Sequence, residues 1–90
     1  MLIEHYSVQV PAEAGVSIAC LSENEQTFVM VSNAVIEKGL GSRPTTAVQR
    51  RTYVVENAVA FIMIANSKRV RFRPSTNLIW ILLRDIPAGP

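Results

Sequence analysis

An alternating run of arginines is the part of this sequence whose residue types and spacing best suggest a chemical role. Arg69, Arg71 and Arg73 alternate with apolar residues in the segment KRVRFRP, directly after Lys68. On a β-strand, side chains two residues apart share a face at about 6.5–7 Å, close to the spacing of phosphates along a single nucleic-acid strand, roughly 6–7 Å. Guanidinium groups bind phosphate and carboxylate in bidentate fashion. The pattern therefore predicts a basic strand face, with Lys68 adding to its field.

A second basic segment, RRTY, precedes this run. It contains Arg50, Arg51 and Tyr53, and on a strand Arg51 and Tyr53 would share a face. Proteins that bind single-stranded nucleic acids combine basic grooves with aromatic side chains on which bases stack. Three interpretations of the arginine row stay open: a solvated face guarding an edge strand, a nucleic-acid surface, or a surface for an acidic protein, including the first half of another copy.

The other reactive residues give little support for catalysis. The chain has one histidine, His5, and one cysteine, Cys20, too few for a zinc site within one chain. We expect His5 to be exposed on the first strand and Cys20 to be buried. Asp85 next to Arg84 is typical of an ion pair or a cap. The sequence therefore predicts no enzyme, no metal site and no cofactor.

Charge is divided unevenly along the chain. Residues 1–37 contain five glutamates and no Lys or Arg, whereas residues 38–90 contain nine Lys or Arg and two acids. The two halves could interleave and cancel, form opposite faces that favour head-to-tail packing of copies, or direct the basic half towards phosphates.

The length of the chain predicts a single domain, and its composition favours contact with other proteins. Ninety residues predict one small domain, 1–90, and 49% of them are apolar or aromatic. A small domain with an apolar surplus tends to leave an apolar patch uncovered, and such patches mark contacts. The two longest apolar runs, AVAFIMIA (58–65) and LIWILL (78–83), are both shorter than the ~20 residues of a membrane helix. The single cysteine and the absence of a signal-like N-terminus predict a cytoplasmic protein.

The first third of the chain indicates a hairpin followed by a helix. Residues 2–10 and 16–20 alternate in polarity around PAEAG, which predicts two paired strands. Ser22 and Glu25 match a Ser-x-x-Glu capping box, and Lys38 with Gly39 suits a helix end, so we expect a helix over about 23–38. The segment TFVMV would also suit a strand.

The remainder is predicted to be mainly strands. Thr-x-x-Gln at Thr46 could open a short helix. The apolar run that follows predicts strands at 50–56 and 58–65, with one long buried helix as the alternative. ANSK then turns into RVRFRP as a hairpin, and LIWILL is a buried strand or a short helix. The predicted fold is α+β, a small mostly antiparallel sheet with one helix packed on it, and all-β as the alternative.

These patterns predict a non-enzymatic domain that assembles with itself or docks on another protein, without a membrane. The alternative is a module that binds single-stranded DNA or RNA. Either function would use the same set of residues: Arg69, Arg71, Arg73, Lys68, Arg50, Arg51 and Tyr53.

Overall fold

The computed structural model describes residues 5–9, 13–22, 25–41, 46–72 and 77–86. In these residues, four strands form a mixed sheet, and three helices form a layer on one side of it. In chain order the elements are β1 (His5–Val8), β2 (Gly15–Ser22), β3 (Glu25–Ser32), α1 (Asn33–Leu40), α2 (Ala47–Glu56), α3 (Ala58–Phe72) and β4 (Leu78–Ile81). A short 3₁₀ helix follows at Leu83–Asp85. The predicted α+β class is confirmed, and the all-β alternative is wrong.

The sheet has the strand order β1-β2-β3-β4. The first three strands are antiparallel neighbours, as predicted for a mostly antiparallel sheet, and β4 pairs in parallel with β3. A parallel pair needs a crossover connection, which here consists of all three helices. Of the two predicted N-terminal strands, the described parts pair as β1 and β2, with Val8 opposite Ile18. Residues 2–4 and 10 of the first predicted strand lie outside the described residues.

The hydrophobic core lies between one face of the sheet and the helices. Alternate residues of β2, β3 and β4 contribute to it, and they are fully or almost fully buried. The helices contribute side chains at i, i+4, i+7, i+8 and i+11 along α2 and α3, a spacing that places them on one helical face. These are Val54, Ala58, Phe61, Ile62 and Ala65, together with Val35 and Ile36 of α1.

The helix predicted over about 23–38 is wrong for its first part. Residues Glu25–Ser32 form β3, and the helix occupies Asn33–Leu40. Ser22 and Glu25 are the last register partners of the β2–β3 pair, so the four-residue segment that matched a capping box joins two strands. The β-branched and aromatic residues of TFVMV suit a pleated, half-buried surface, and this segment pairs along its whole length with β2. The helix ends at Gly41 and not at Gly39, with Gly41 in the left-handed region at φ 69°.

The strands predicted at 50–56 and 58–65 are also wrong, because both segments are helical. The helical alternative is correct in type, although the helix is divided at Asn57. Apolar residues occur on the outer helical surface as well, at Val48, Val55, Val59 and Met63. A helix that is apolar nearly all round has no clear 3.6-residue period, so the run resembles a buried strand.

The start of α2 follows directly from the sequence. Thr46 is the N-cap of α2, and the predicted Thr-x-x-Gln box is complete. The Thr46 hydroxyl accepts a hydrogen bond from the Gln49 amide at 3.1 Å, and the Gln49 side chain accepts one from the Thr46 amide at 2.9 Å. Within the described residues, no helix is long and apolar enough to cross a membrane.

Candidate interaction surface

In the described part of the chain, the side chains on the side of the sheet away from the helices are exposed or half-buried. Strand alternation sends every second side chain to this side. We call it the open face, and its members are His5, Ser7, Ser17, Ala19, Leu21, Gln26, Phe28, Met30, Leu78 and Trp80. The register aligns Phe28 with Ala19 on one side and with Leu78 on the other, and aligns Met30 with Ser17 and Trp80.

Large apolar side chains on the open face are substantially exposed. The exposed fractions are 40% for Leu21, 38% for Phe28, 39% for Leu78 and 37% for Trp80. An antiparallel sheet with one solvated face ordinarily carries polar residues there. Here β3 and β4 are apolar on both sides, because Val29, Val31, Ile79 and Ile81 fill the covered side. Contiguous exposed apolar patches of this kind are typical of contact surfaces.

None of the ten side chains of the open face is Lys, Arg, Asp or Glu. Its polar members are serines, one glutamine and one histidine. Since aromatic residues and methionine are enriched and charges are depleted at the centres of protein interfaces, this composition matches an interface core. It lacks the cations that a phosphate backbone requires.

The arginine row is not extended. The predicted hairpin at ANSK and the strand RVRFRP are wrong over the described residues, because α3 continues to Phe72. Arg69 and Arg71 lie on this helix, and positions two residues apart on a helix differ by about 200° around its axis. The two backbone positions therefore do not share one face of an extended strand, and Arg73 lies outside the described residues. Period-two alternation is short here, and the longer helix beginning at Ala58 overrides it.

Lys68 has a structural contact of its own. Its ammonium donates to the Trp80 carbonyl at 2.6 Å and to Oδ2 of Asp85 at 2.9 Å. The two side chains of this ion pair are only 20% and 13% exposed. Asp85 also accepts a hydrogen bond from the Leu82 amide at 2.8 Å. The expectation that Asp85 serves as an ion pair or a cap is confirmed, with Lys68 in place of Arg84 as its ion-pair partner.

These contacts change the acidity of Asp85. Burial raises the pKa of its carboxyl group, but the hydrogen bonds from Lys68 and Leu82 and the charges of Lys68 and Arg84 outweigh burial. The pKa of Asp85 therefore lies below its ordinary value. Cys20 is buried as predicted, and burial raises the pKa of its thiol.

The residues of the RRTY segment lie on α2. Arg50 donates to the Asn33 side chain at 3.2 Å, and Arg51 donates to the Val8 carbonyl at 3.2 Å. Tyr53 is half-buried and packs against Phe61, with ring centroids 6.1 Å apart. An added Cβ at Gly39 of α1 would collide with the Tyr53 ring, so this ring packs directly against α1 at Gly39. Whether any of these residues binds a partner stays a prediction.

Sequence reasoning did not identify the open face. The sequence patterns place Phe28 and Met30 within the helix predicted over about 23–38, and Leu78 and Trp80 within LIWILL, a predicted buried strand or short helix. The available signal was the coexistence of two apolar sets within β3 and β4, since a strand covered on one side needs only one. No cluster of three or more His, Cys, Asp or Glu that could hold a metal ion occurs among the described residues.

Comparisons of the chain with protein-family models, curated proteins and solved structures find no match.

Proposed function

We propose that the protein is a non-enzymatic interaction module that binds a protein partner through its open face. The observation that carries the proposal is the exposure of Leu21, Phe28, Leu78 and Trp80 on one uncharged sheet surface. Phe28 and Trp80 provide large, rigid contact areas, which is the chemistry of binding hot spots. Removing such side chains from water supplies the driving force, at about 25 cal/mol per Å² of apolar surface.

The arrangement of ionisable groups supports a role without catalysis. A catalytic site brings together groups that titrate, attack or hold a metal. In the described residues, His5 is exposed on an edge strand, Cys20 is inside the core, and Asp85 is already engaged by Lys68. We place the protein in the cytoplasm, because its single cysteine suits a reducing compartment.

Nucleic-acid binding by the basic residues is the second hypothesis from the sequence. The described basic side chains lie outside the open face, and Lys68, Arg50 and Arg51 each contact another part of the protein. The exposed aromatic and aliphatic side chains therefore favour protein contact over phosphate contact.

Site-specific photo-crosslinking tests the proposal in the cells that make the protein. A photoreactive amino acid replaces Phe28 in one variant and Val48, on the outer surface of α2, in the control. Val48 is 76% exposed, twice the exposed fraction of Phe28, so indiscriminate contact would label position 48 more strongly. We expect discrete protein adducts from position 28 and not from position 48, and their loss when Trp80→Glu is added. No adduct at position 28, or equal adducts at both positions, would contradict the proposal.

A further inference from the structure

We propose that the partner of the open face is a second copy of the chain, packed face to face about a two-fold axis parallel to the strands. This inference rests on the proposed function, since it names the occupant of the same surface. It is carried by the distribution of side-chain size across the sheet, by the absence of charge, and by the area of the face.

Side-chain size divides the open face into two halves. The large half is formed by β3 and β4 and contains Phe28, Met30, Leu78 and Trp80. The small half is formed by β1 and β2 and contains Ser7, Ser17 and Ala19. Leu21 and His5 are the exceptions; they are register partners at one end of the sheet, where Leu21 also lies beside Gln26. The surface is therefore a ridge next to a shallow depression.

A two-fold axis parallel to the strands, midway between β2 and β3, makes this relief self-complementary. Such an axis places β3 of one copy over β2 of the other and leaves positions along the strands unchanged. The register then puts Phe28 over Ala19 of the second copy and Met30 over its Ser17. Every contact occurs twice, as an isologous interface requires. Sheets packed in this aligned way keep their strand directions within about 30°, as twisted sheets do.

The alternative axis, perpendicular to the strands, does not fit. It would place β3 over β3 and β2 over β2, so that ridge met ridge and depression met depression. Packing to protein density needs large side chains opposite small ones, because a void forfeits contacts and overlap causes strain.

The lack of charge favours a second copy in particular. An isologous interface brings each residue near its own equivalents, so charged residues close to the axis would repel one another. The open face has no Lys, Arg, Asp or Glu to repel. Strand spacing and length give a flat footprint of roughly 400 Å² on each copy, about 800 Å² for the pair before side-chain relief is added. The flat value lies below the roughly 1,000 Å² expected of a stable specific interface, so we expect a weak dimer that dissociates on dilution.

Two single substitutions and their mixture test the arrangement. Ala19→Phe fills the depression, and Phe28→Ala removes part of the ridge. Alone, each variant should dimerise at least about tenfold more weakly than the wild-type protein in sedimentation equilibrium. An equimolar mixture should recover dimers to within a few-fold of wild type, because the overfilled face of one variant receives the emptied face of the other. Val59→Ala, on the outer surface of α3, is the matched control and should leave dimerisation unchanged.

The outcomes separate this inference from the proposed function. A wild-type protein that stays at 9.9 kDa up to millimolar concentration overturns the dimer, while the position-dependent adducts of Phe28 would still support a different protein partner. A mixture that associates no better than its components overturns the two-fold arrangement. Circular dichroism of each variant identifies any loss of fold, and since mixing involves only folded single variants, rescue does not depend on a doubly substituted chain.

Discussion

At the scale of single residues, the contact between Lys68 and Asp85 has the clearest energetic role. Lys68 joins α3 to the end of β4 through the Trp80 carbonyl and the Asp85 carboxylate, both within hydrogen-bonding distance. The pair is largely buried, so each charge depends on the other for the solvation it has lost. The side chain of Trp80 belongs to the open face, and its backbone carbonyl accepts the hydrogen bond from Lys68. The contacts of Lys68 therefore also fix the position of β4, and with it the position of the Trp80 side chain on the open face.

The pH dependence of stability tests this contact. Because the pKa of Asp85 is lower in the folded state, its contribution is fully present above the unfolded value, near 3.9, and is lost as the pH falls through the folded value. We expect Asp85→Asn to lower the free energy of unfolding by about 1.5 kcal/mol at pH 7, and the difference from wild type to shrink below about pH 4. Urea unfolding across this range measures it.

Glu56→Gln serves as the control for that measurement, because Glu56 is an exposed acid on α2. It should change the free energy of unfolding by less than about 0.5 kcal/mol. A loss in Asp85→Asn of the same size at pH 7 and pH 3 would show that the carboxylate charge is not the cause.

At the scale of elements, the N-cap of α2 is the feature that the sequence predicted most directly. In the Thr46–Gln49 box, the side chain of each residue accepts a hydrogen bond from the backbone amide of the other at the first turn of the helix. We expect Thr46→Ala to reduce the free energy of unfolding by about 1 kcal/mol, because one amide at the helix start loses its acceptor. Thr46→Ser keeps the hydroxyl and should stay within a few tenths of wild type in thermal and urea unfolding. Equal losses in both variants would mean that the methyl group, not the cap, is responsible.

Local patterns predicted the elements where one signal dominated. The β1–β2 hairpin followed from clean alternation around a Pro- and Gly-containing turn, and the α2 cap from a short motif. Ser22–Glu25 fitted both a capping box and a strand connection, and the tertiary pairing of β2 with β3 selected the second. The run from Arg50 to Ala65 carried apolar residues on both its inner and outer surfaces, so its periodicity could not separate a helix from two strands.

Apolar residues on both sides of an element also explain why the sequence did not predict the open face. A strand that is apolar on both sides resembles a fully buried strand, and LIWILL is predicted to be either a buried strand or a short helix. The structure shows that β4 is buried only on alternate residues, Ile79 and Ile81, and exposes Leu78 and Trp80. Which side of a sheet the helices cover depends on long-range packing that no local pattern contains. The apolar surplus of the whole composition did predict that some patch would be uncovered.

At the scale of the whole molecule, the described chain separates an apolar surface from its basic residues. The open face lies on one side of the sheet, whereas Lys38, Arg50, Arg51 and Lys68 belong to the helical layer. No described charged residue of the acidic or the basic half of the sequence therefore lies on the proposed interface. Contacts made by the open face should consequently respond to salt differently from contacts made by the arginines.

Salt dependence distinguishes the two surfaces. If copies associate through the open face, raising salt from about 0.05 to 0.5 M should leave the dissociation constant unchanged or slightly lower, since no charges are paired and apolar burial is not screened. Binding to a fluorescent single-stranded oligonucleotide through arginines would instead weaken steeply over the same range, by release of condensed counterions. Replacing Arg69, Arg71 and Arg73 with Gln should not change self-association, whereas Phe28→Ala should weaken it at every salt concentration. Self-association that weakens with salt and is lost in the triple variant would transfer the contact from the sheet to the arginines.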